Sequence, residues 1–365
     1  MTKEVIMRRF GMLVFAVLAI VLTMNGCGED DKGPIGWAIG WRSDNTAVIL
    51  HTLNGGKTWE EQGDTSQWTG MSGNDISAVD ACTAWAAVGS ADGNGAILHT
   101  TDGGANWRVQ PLPAGINETV KGIKGLSRST AWAVTLGGTV MRTLDGGQTW
   151  VVVPHEGLTM KQVNRMDVKG EDIYIADWGS GERGMIHSAD SGRTWRQEYV
   201  QNVDSSPGFG PMCVSIVSAQ VAWTAIRPAA NIYRTVDGGD SWRLDAPRVS
   251  GPNDLDDICA PSADMVWAVQ NIGGLSGGRI LRVRLVNGEV VRDIMDPTQG
   301  NYQYEGVTCF DEETAWVVGF RSYGADPDLP EGVVLHTADG TTWTSQPLPV
   351  KDAGLWKVSF VVAHR

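Results

Sequence analysis

Short apolar strands separated by glycine-rich turns recur from residue 36 to the end of the chain. One type has the form Ala-Trp-Ala-Val, and its central aromatic residue returns every 42 to 49 residues. The seven copies are centred on Trp37, Trp85, Trp132, Tyr174, Trp223, Trp267 and Trp316. A further short apolar run lies about nine residues before most of them, as at Ile76 and Ile123. Short apolar runs bounded by turn residues predict β-strands, and few stretches have helical periodicity.

A second motif, of the form Thr-x-Asp-Gly-Gly-x-Thr-Trp, accompanies most of these strands. Its tryptophans are Trp59, Trp107, Trp150, Trp195, Trp242 and Trp343, spaced 48, 43, 45, 47 and then 101 residues apart. The last interval spans two repeats, so one copy is degenerate, and it lies at residues 280–290. Asn287 and Gly288 keep a hairpin turn at that place.

Each unit therefore contains four short strands in forty-odd residues, which is the pattern of a propeller blade. The first unit lacks its inner strand, and the segment 355–361 is an inner strand that no further unit follows. Pairing of these two ends completes one blade and hides both sheet edges. We predict an all-β fold over residues 36–365, a seven-bladed β-propeller of four-stranded antiparallel blades closed by pairing of the N- and C-terminal strands.

The second motif resembles the Asp-box, or bacterial neuraminidase repeat. Its carboxylate accepts turn amides, and its tryptophan wedges between neighbouring units. The residues with this structural role are Asp102, Trp107, Asp145, Trp150, Asp190, Trp195, Asp237, Trp242, Asp339 and Trp343. Because the copies lie on separate blades, we expect no shared catalytic or metal site from them, nor from the strand histidines His51, His99, His187 and His336. We expect no cofactor.

The N-terminus has the pattern of a bacterial lipoprotein signal. Arg8 and Arg9 precede an apolar run over residues 10–22, which Gly26 and Cys27 follow. We predict a signal peptide over residues 1–26, a lipidated Cys27, and a short linker over residues 27–35. Multiple acyl chains would anchor the protein stably to a membrane. This places the protein in the bacterial cell envelope, facing the periplasm or the exterior, with inner and outer membrane left open.

Charge and cysteine content narrow the functional classes. The formal net charge is −13, and nucleic-acid binding needs clustered positive charge, so we expect no nucleic-acid partner. Four cysteines follow Cys27, and none forms a Cys-x-x-Cys pair, which argues against zinc and thioredoxin-type chemistry. The repeat register separates three of them onto different blades, so we predict unpaired, buried thiols. These cysteines are Cys82, Cys213, Cys259 and Cys309.

The paired repeat strands over residues 33–365 resemble the photosystem II assembly and stability factor family. That resemblance implies a seven-bladed Asp-box propeller, often a lipoprotein, that acts as a non-enzymatic chaperone or scaffold in membrane-protein assembly. The family role uses a basic patch, whereas this chain is acidic, and no arginine cluster carries over. Two glycoside hydrolase classes are the alternative. Sialidases need three convergent arginines, and xyloglucanase-like enzymes use two propellers with facing aspartates.

The irregular loops on the face opposite the Asp-box turns are where we expect a partner to bind. Loops on a rigid scaffold commonly carry function, and aromatic residues are favoured anchors. The candidate contacts are Trp68, Trp178, Tyr302 and Tyr304, and the loop carboxylates include Asp177, Asp256 and Glu305. We predict a monomeric, non-enzymatic binding or scaffold protein that mediates protein–protein interaction or membrane-protein assembly. Its expected partner is another envelope protein or a polysaccharide.

Overall fold

Seven four-stranded antiparallel sheets surround a central channel. The computed structural model describes residues 33–178, 184–200, 210–227, 230–246, 254–272, 277–321 and 330–362. The innermost strands of neighbouring sheets contact one another around the whole ring. This confirms the predicted seven-bladed β-propeller. No helix within the described ranges is long and apolar enough to cross a membrane.

The strands of each blade are given from the channel outward. Blade 1 contains β28 (Ala353–Val361), β1 (Ile35–Arg42), β2 (Ala47–Thr52) and β3 (Glu60–Gln62). Blade 2 contains β4 (Ser72–Ala78), β5 (Ala84–Gly89), β6 (Gly95–Thr100) and β7 (Arg108–Gln110). Blade 3 contains β8 (Val120–Gly125), β9 (Ala131–Thr135), β10 (Val140–Thr143) and β11 (Val151–Val152). Blade 4 contains β12 (Val163–Lys169), β13 (Asp172–Asp177), β14 (Gly184–Ser188) and β15 (Arg196–Tyr199).

The other three blades follow the same order. Blade 5 contains β16 (Gly210–Ile216), β17 (Ala222–Arg227), β18 (Asn231–Thr235) and β19 (Arg243–Ala246). Blade 6 contains β20 (Asp254–Ser262), β21 (Met265–Asn271), β22 (Gly278–Val286) and β23 (Glu289–Met295). Blade 7 contains β24 (Gln303–Cys309), β25 (Ala315–Arg321), β26 (Glu331–Thr337) and β27 (Thr344–Ser345). A single 3-10 turn over Thr65–Trp68 links blades 1 and 2.

Blade 1 closes the ring with strands from both ends of the chain. Antiparallel pairing of β1 with β28 places Trp37 opposite Ser359 and Ala38 opposite Val358. The side chains of Leu355, Val358 and Phe360 are buried beneath this pairing. The predicted closure is confirmed, and its physical basis is apolar burial in addition to the hydrogen bonds of the ladder.

Tryptophans hold neighbouring blades together. The Asp-box indole of Trp150 packs edge-on against Trp85 of the preceding blade, with ring centroids 5.9 Å apart. Trp343 packs against Trp267 in the same way, at 5.6 Å. The second-strand indole also donates a hydrogen bond across the boundary, as from Trp267 Nε1 to the carbonyl of Asp311 at 3.2 Å. Each repeat motif therefore supplies one half of an interblade contact, which explains the high tryptophan content.

The Asp-box turns have the local chemistry that their residue types suggest. In blade 2, Asp102 Oδ1 accepts a hydrogen bond from the amide of Asn106 at 2.9 Å, and Thr100 Oγ1 accepts one from the amide of Gly104 at 2.9 Å. Equivalent bonds form at Asp145, Asp190 and Asp237. These bonds lower the pKa of the Asp190 carboxyl to about 2. The carboxylates therefore stabilise single turns and lie on separate blades.

The strand histidines also have a structural position. His51 stacks on Trp37 with ring centroids 4.4 Å apart, and His99 stacks on Trp85 at 3.5 Å. Blade 3 has an arginine at the position of these histidines, and the Arg142 guanidinium lies 5.2 Å from the Trp132 ring centroid. Each blade thus covers its second-strand aromatic ring with a planar polar group. Within the described part of the chain, no three histidine, cysteine or acidic residues group as a metal site.

The prediction of four unpaired thiols is wrong for three of the cysteines. Cys259 and Cys309 form a disulfide, with Cα atoms 6.0 Å apart. The bond joins β20 to β24, the inner strands of blades 6 and 7, which the ring brings side by side although 50 residues separate the cysteines. Cys82 is also not a free thiol. Cys213 is a free, buried thiol as predicted. Cys27 and the rest of residues 1–32 lie outside the described residues, so lipidation stays a prediction.

Candidate functional site at the channel mouth

Every inner strand contains a β-bulge at the same height. In each blade the register between the inner and second strands shifts by one residue near the start of the inner strand. The residue left without a ladder partner is Asn74, Lys121, Asn164, Met212, Asp256, Glu305 or Trp356 in the seven blades. We call these seven residues the bulge ring. A bulge gives up regular pairing and re-aims a side chain, which is why bulges often occur beside functional sites.

The bulge ring lines one open cavity at the mouth of the channel. This cavity has a volume of about 420 Å³, and all seven bulge residues contribute to its wall. It lies at the end where the second strand turns into the third, as at residues 90–94, and so opposite the Asp-box turns. The face on which sequence analysis placed a partner site is therefore the face on which the seven blades converge.

Below the bulge ring, paired charges and interblade hydrogen bonds close the channel. Lys124 Nζ lies 2.8 Å from Asp167 Oδ1, and Lys357 Nζ lies 2.6 Å from Asp257 Oδ1. The second oxygen of each aspartate accepts an amide from the next blade, that of Ile216 for Asp167 at 2.8 Å. The remaining channel cavity is only about 140 Å³. These charges are paired within the protein, and the bonds hold neighbouring blades together.

The cations of the mouth have a different environment. Lys121 Nζ has Asn74 Oδ1 as its hydrogen-bond partner, at 3.4 Å. Arg165, one residue past the bulge of the neighbouring strand, donates from Nη1 to the carbonyl of Asn164 at 3.1 Å. Burial and the nearby Arg165 lower the pKa of Lys121 to about 8. Neither cation forms an ion pair within the described part of the chain, in contrast to Lys124 and Lys357.

The opposite side of the mouth is acidic. Glu305 of blade 7 is buried, and one carboxylate oxygen accepts a hydrogen bond from Asn271 Nδ2 at 3.0 Å. Burial raises the pKa of Glu305 to about 7, against the smaller lowering effect of that hydrogen bond and of Arg165. Asp256 of blade 6 lines the same cavity. A carboxyl with a raised pKa is a feature of binding and catalytic sites alike.

An aromatic group forms a third part of the wall. Trp356 stacks on Trp41 with ring centroids 6.2 Å apart, and Phe320 packs edge-on against both. Trp41 and Trp356 are half-buried and line the cavity. The mouth therefore offers apolar, cationic, acidic and amide groups within a single cavity.

The structure separates the four aromatic residues expected to contact a partner. Trp68 is 1% exposed, and its indole donates to the carbonyl of Ala47 at 3.2 Å. Tyr304 is fully buried, and its hydroxyl bonds that of Thr298 at 2.8 Å. These two residues belong to the hydrophobic core. Trp178 and Tyr302 are half-buried and stay candidates.

Asp177 is likewise structural, since its carboxylate accepts the amide of Gln162 at 2.9 Å.

A cavity of about 590 Å³ on the Asp-box face lies between blades 4 and 5. Its wall includes His187, whose ring nitrogens lie 2.5 Å from Glu198 Oε1 and 3.2 Å from Asp172 Oδ1. Glu198 also accepts a bond from the indole of Trp242 in the next blade, at 3.2 Å. This buried cluster ties the two blades together.

Sequence reasoning named Asp256 and Glu305 among the loop carboxylates and missed the other five residues of the bulge ring. A signal was present, because an apolar channel residue follows two positions after each of them, as Ile76 follows Asn74 and Val358 follows Trp356. The bulge itself has no local sequence code here, since the seven residues share neither charge nor size. It depends on the register against the second strand.

The comparisons with known proteins agree with the fold. Residues 111–252 match the family described as Photosynthesis system II assembly factor YCF48. The structure of YCF48 bound to D1 peptide is similar, with a TM-score of 0.57 and 15% identity over 81% of this chain and 92% of that chain. YCF48 from Cyanidioschyzon merolae gives a TM-score of 0.55 and 15% identity over 81% and 96%. The chain is thus a seven-bladed Asp-box propeller similar to that family.

Enzymes share the same fold. The GH74 xyloglucanase from Xanthomonas campestris gives a TM-score of 0.58 and 11% identity, covering 92% of this chain and 55% of that chain. No curated protein sequence is significantly similar to the chain. At these identities the structural likeness shows the fold and does not distinguish an enzyme from a binding protein.

Proposed function

We propose that the protein is a non-enzymatic binding protein, anchored in the cell envelope through Cys27, that holds a segment of another envelope protein at the bulge ring. One observation carries this proposal. Seven bulges, one in each blade, aim seven side chains of six residue types into the same cavity. Regular ladders would serve a purely structural channel better, because each bulge gives up regular pairing.

The composition of the mouth supports a polypeptide as the ligand. Trp356 and Met212 offer apolar contacts, Asn74 and Asn164 offer amides, and Lys121 lies across from Glu305. Aromatic anchors combined with a few polar groups are typical of protein-recognition sites. The similar propeller solved with a D1 peptide provides a precedent for a peptide on this fold. On this proposal the protein acts in the assembly or maintenance of an envelope complex.

Retention of partners from solubilised envelope tests the proposal. The full-length protein should retain one or more envelope proteins, and Trp356→Ala should reduce that retention at least about tenfold. Trp195→Ala is the matched control, because it removes another half-buried indole on the opposite face. Equal retention by the two variants, or no protein retained by the wild type, would contradict the proposal.

Glycoside hydrolysis is the second candidate, and one observation favours it. Glu305, with a pKa raised to about 7, lines the same cavity as Asp256, and glycosidases work with a pair of carboxyl groups. We expect no turnover of sialosides or β-glucans, because the mouth lacks a convergent arginine trio within the described residues. Turnover that Glu305→Gln abolishes would replace the binding proposal with the enzymatic one.

A further inference from the structure

The cations of the channel fall into two classes, those in ion pairs with aspartates and those without an ion-pair partner in the described residues. The second class points to an anionic ligand. The lower pair, Lys124 and Lys357, contact aspartates at 2.8 and 2.6 Å. The upper pair, Lys121 and Arg165, line the open mouth, Arg165 also lines the channel cavity below it, and neither has an ion-pair partner in the described ranges. Both side chains are half-buried, so water solvates them only in part. Partly buried cations gain most from an anion that enters the same site.

Lys121 and Arg165 also repel each other, which adds to the positive charge that no ion pair offsets. The positive charge of Arg165 contributes to the lowered pKa of Lys121, which shows that the two groups act on each other. The Nε of Arg165 is buried and has no hydrogen-bond partner in the described part of the chain. An anion between the two side chains would relieve both the repulsion and the missing contacts.

No acidic side chain of the described residues forms an ion pair with these two cations. The charge of buried Asp75 interacts with both, but its two oxygens accept the amides of Ile76 and Ile123. Glu305 lines the same cavity, but its first hydrogen bond is to Asn271, and its raised pKa leaves it partly neutral near pH 7. Asp167 and Asp257 are held below by Lys124 and Lys357. Lys121 and Arg165 thus have buried carboxyl groups nearby but form no ion pair with a described residue.

We propose that the Lys121 ammonium and the Arg165 guanidinium bind a carboxylate of the partner polypeptide in the bulge ring. This inference rests on the proposed function and names the chemical group that the site recognises. The carboxylate belongs either to the C-terminus of the partner or to an acidic side chain in an extended segment. The aromatic wall of Trp41 and Trp356 then receives a neighbouring apolar side chain.

Three N-acetylated pentapeptides test the proposal on the full-length protein by calorimetry or fluorescence. The first is Ala-Val-Gly-Ala-Val with a free terminal carboxylate, the second is its C-terminal amide, and the third is the amide of Ala-Val-Glu-Ala-Val. We expect at least one carboxylate peptide to bind about tenfold or more tightly than the neutral amide. Whichever carboxylate peptide binds identifies the source of the group.

Two variants locate the binding site. Lys121→Met should weaken the carboxylate peptide about tenfold and leave the neutral peptide unchanged, and Lys121→Arg should restore binding. Lys161→Met is the matched control, because this lysine is exposed and lies outside the cavity. The comparison of acid with amide on the wild type needs no variant, so it stands even if Lys121→Met does not fold.

Equal binding of all three peptides would overturn the inference, as would equal effects of Lys121→Met and Lys161→Met. Inorganic phosphate that binds more tightly than either carboxylate peptide would also overturn it and would indicate a phosphate site. Envelope-protein retention that depends on Trp356, together with equal peptide binding, would contradict this inference alone. Loss of the Trp356 dependence would contradict the proposed function.

Discussion

Truncation of one aromatic residue in the closing strand tests how the ring is held shut. Phe360 is 7% exposed and stacks on Trp316, with centroids 4.0 Å apart and planes 17° apart. Its ring also meets Trp59 edge-on at 5.8 Å and lies directly over Gly36. Phe360→Ala would leave a cavity among these large, fixed groups, which have little room to collapse. Phenylalanine-to-alanine changes in cores cost about 3–5 kcal/mol, and the two aromatic contacts place this one at about 4 kcal/mol or more.

Urea unfolding followed by tryptophan fluorescence measures this loss as a lower midpoint at unchanged slope. Val362→Ala is the control, because this side chain is 57% exposed just beyond β28, and its loss should be within about 0.5 kcal/mol of zero. Deletion of residues 354–365 also removes Leu355 and Val358, so its cost approaches the whole stability of a domain and should abolish cooperative folding. A loss below about 1 kcal/mol for Phe360→Ala, or a truncated protein that melts like the full one, would refute closure by apolar packing.

Four further predictions follow from the structure and the sequence. Cys27→Ser should release a soluble or unprocessed form, and intact-mass analysis that finds residue 27 unmodified in the membrane fraction would rule out lipidation. Trp107→Ala should destabilise by about 3–5 kcal/mol, whereas Trp178→Ala should cost less than half as much and weaken partner retention; equal losses of stability would contradict the contrast. Cys259→Ser opens a cross-link between residues 50 apart, so the chain-entropy estimate is a loss of about 4 kcal/mol, and an unchanged urea midpoint would show that the disulfide adds nothing. Burial raises the pKa of Glu305 from 4.5 to about 7, so the carboxyl ionises at lower pH in the unfolded chain than in the folded protein. The free energy of unfolding should therefore fall as pH rises from about 4.5 to 7. Glu305→Gln should flatten this pH dependence of stability, and a pH profile identical to the wild type would contradict the raised pKa.

The burial of individual aromatic residues shows where sequence reasoning stops. Sequence analysis places Trp68 and Tyr304 in irregular loops, which predicts exposure, yet both are core residues, and Tyr304 lies within β24. Trp68 becomes buried because the 3-10 turn at Thr65–Trp68 folds its indole back onto β2. Periodicity assigns a face to a residue inside a strand, but it assigns none to a residue in a connection, where backbone direction follows no repeat.

The cysteines show the same limit at longer range. The repeat register places Cys259 and Cys309 on different blades, and from this we predicted free thiols. The two residues nevertheless meet, because inner strands of consecutive blades lie side by side around the channel. Equivalent positions in neighbouring repeats are distant in sequence and adjacent in space, so separation on different blades did not exclude a bond.

Residue patterns alone were enough to assign the number of blades, the four strands of each, the joining of the two chain ends in blade 1 and the turn chemistry of the Asp-boxes. These features repeat, and each depends on residues close together in the chain, as with Thr100, Asp102 and Asn106. Only the tertiary structure decided which side chains face the channel mouth. The bulge ring arises from the register of seven separate strand pairs, and Lys121, Arg165 and Glu305 share one cavity because the ring closes. Strand register and ring closure are long-range properties, and no local pattern of residue types specifies them.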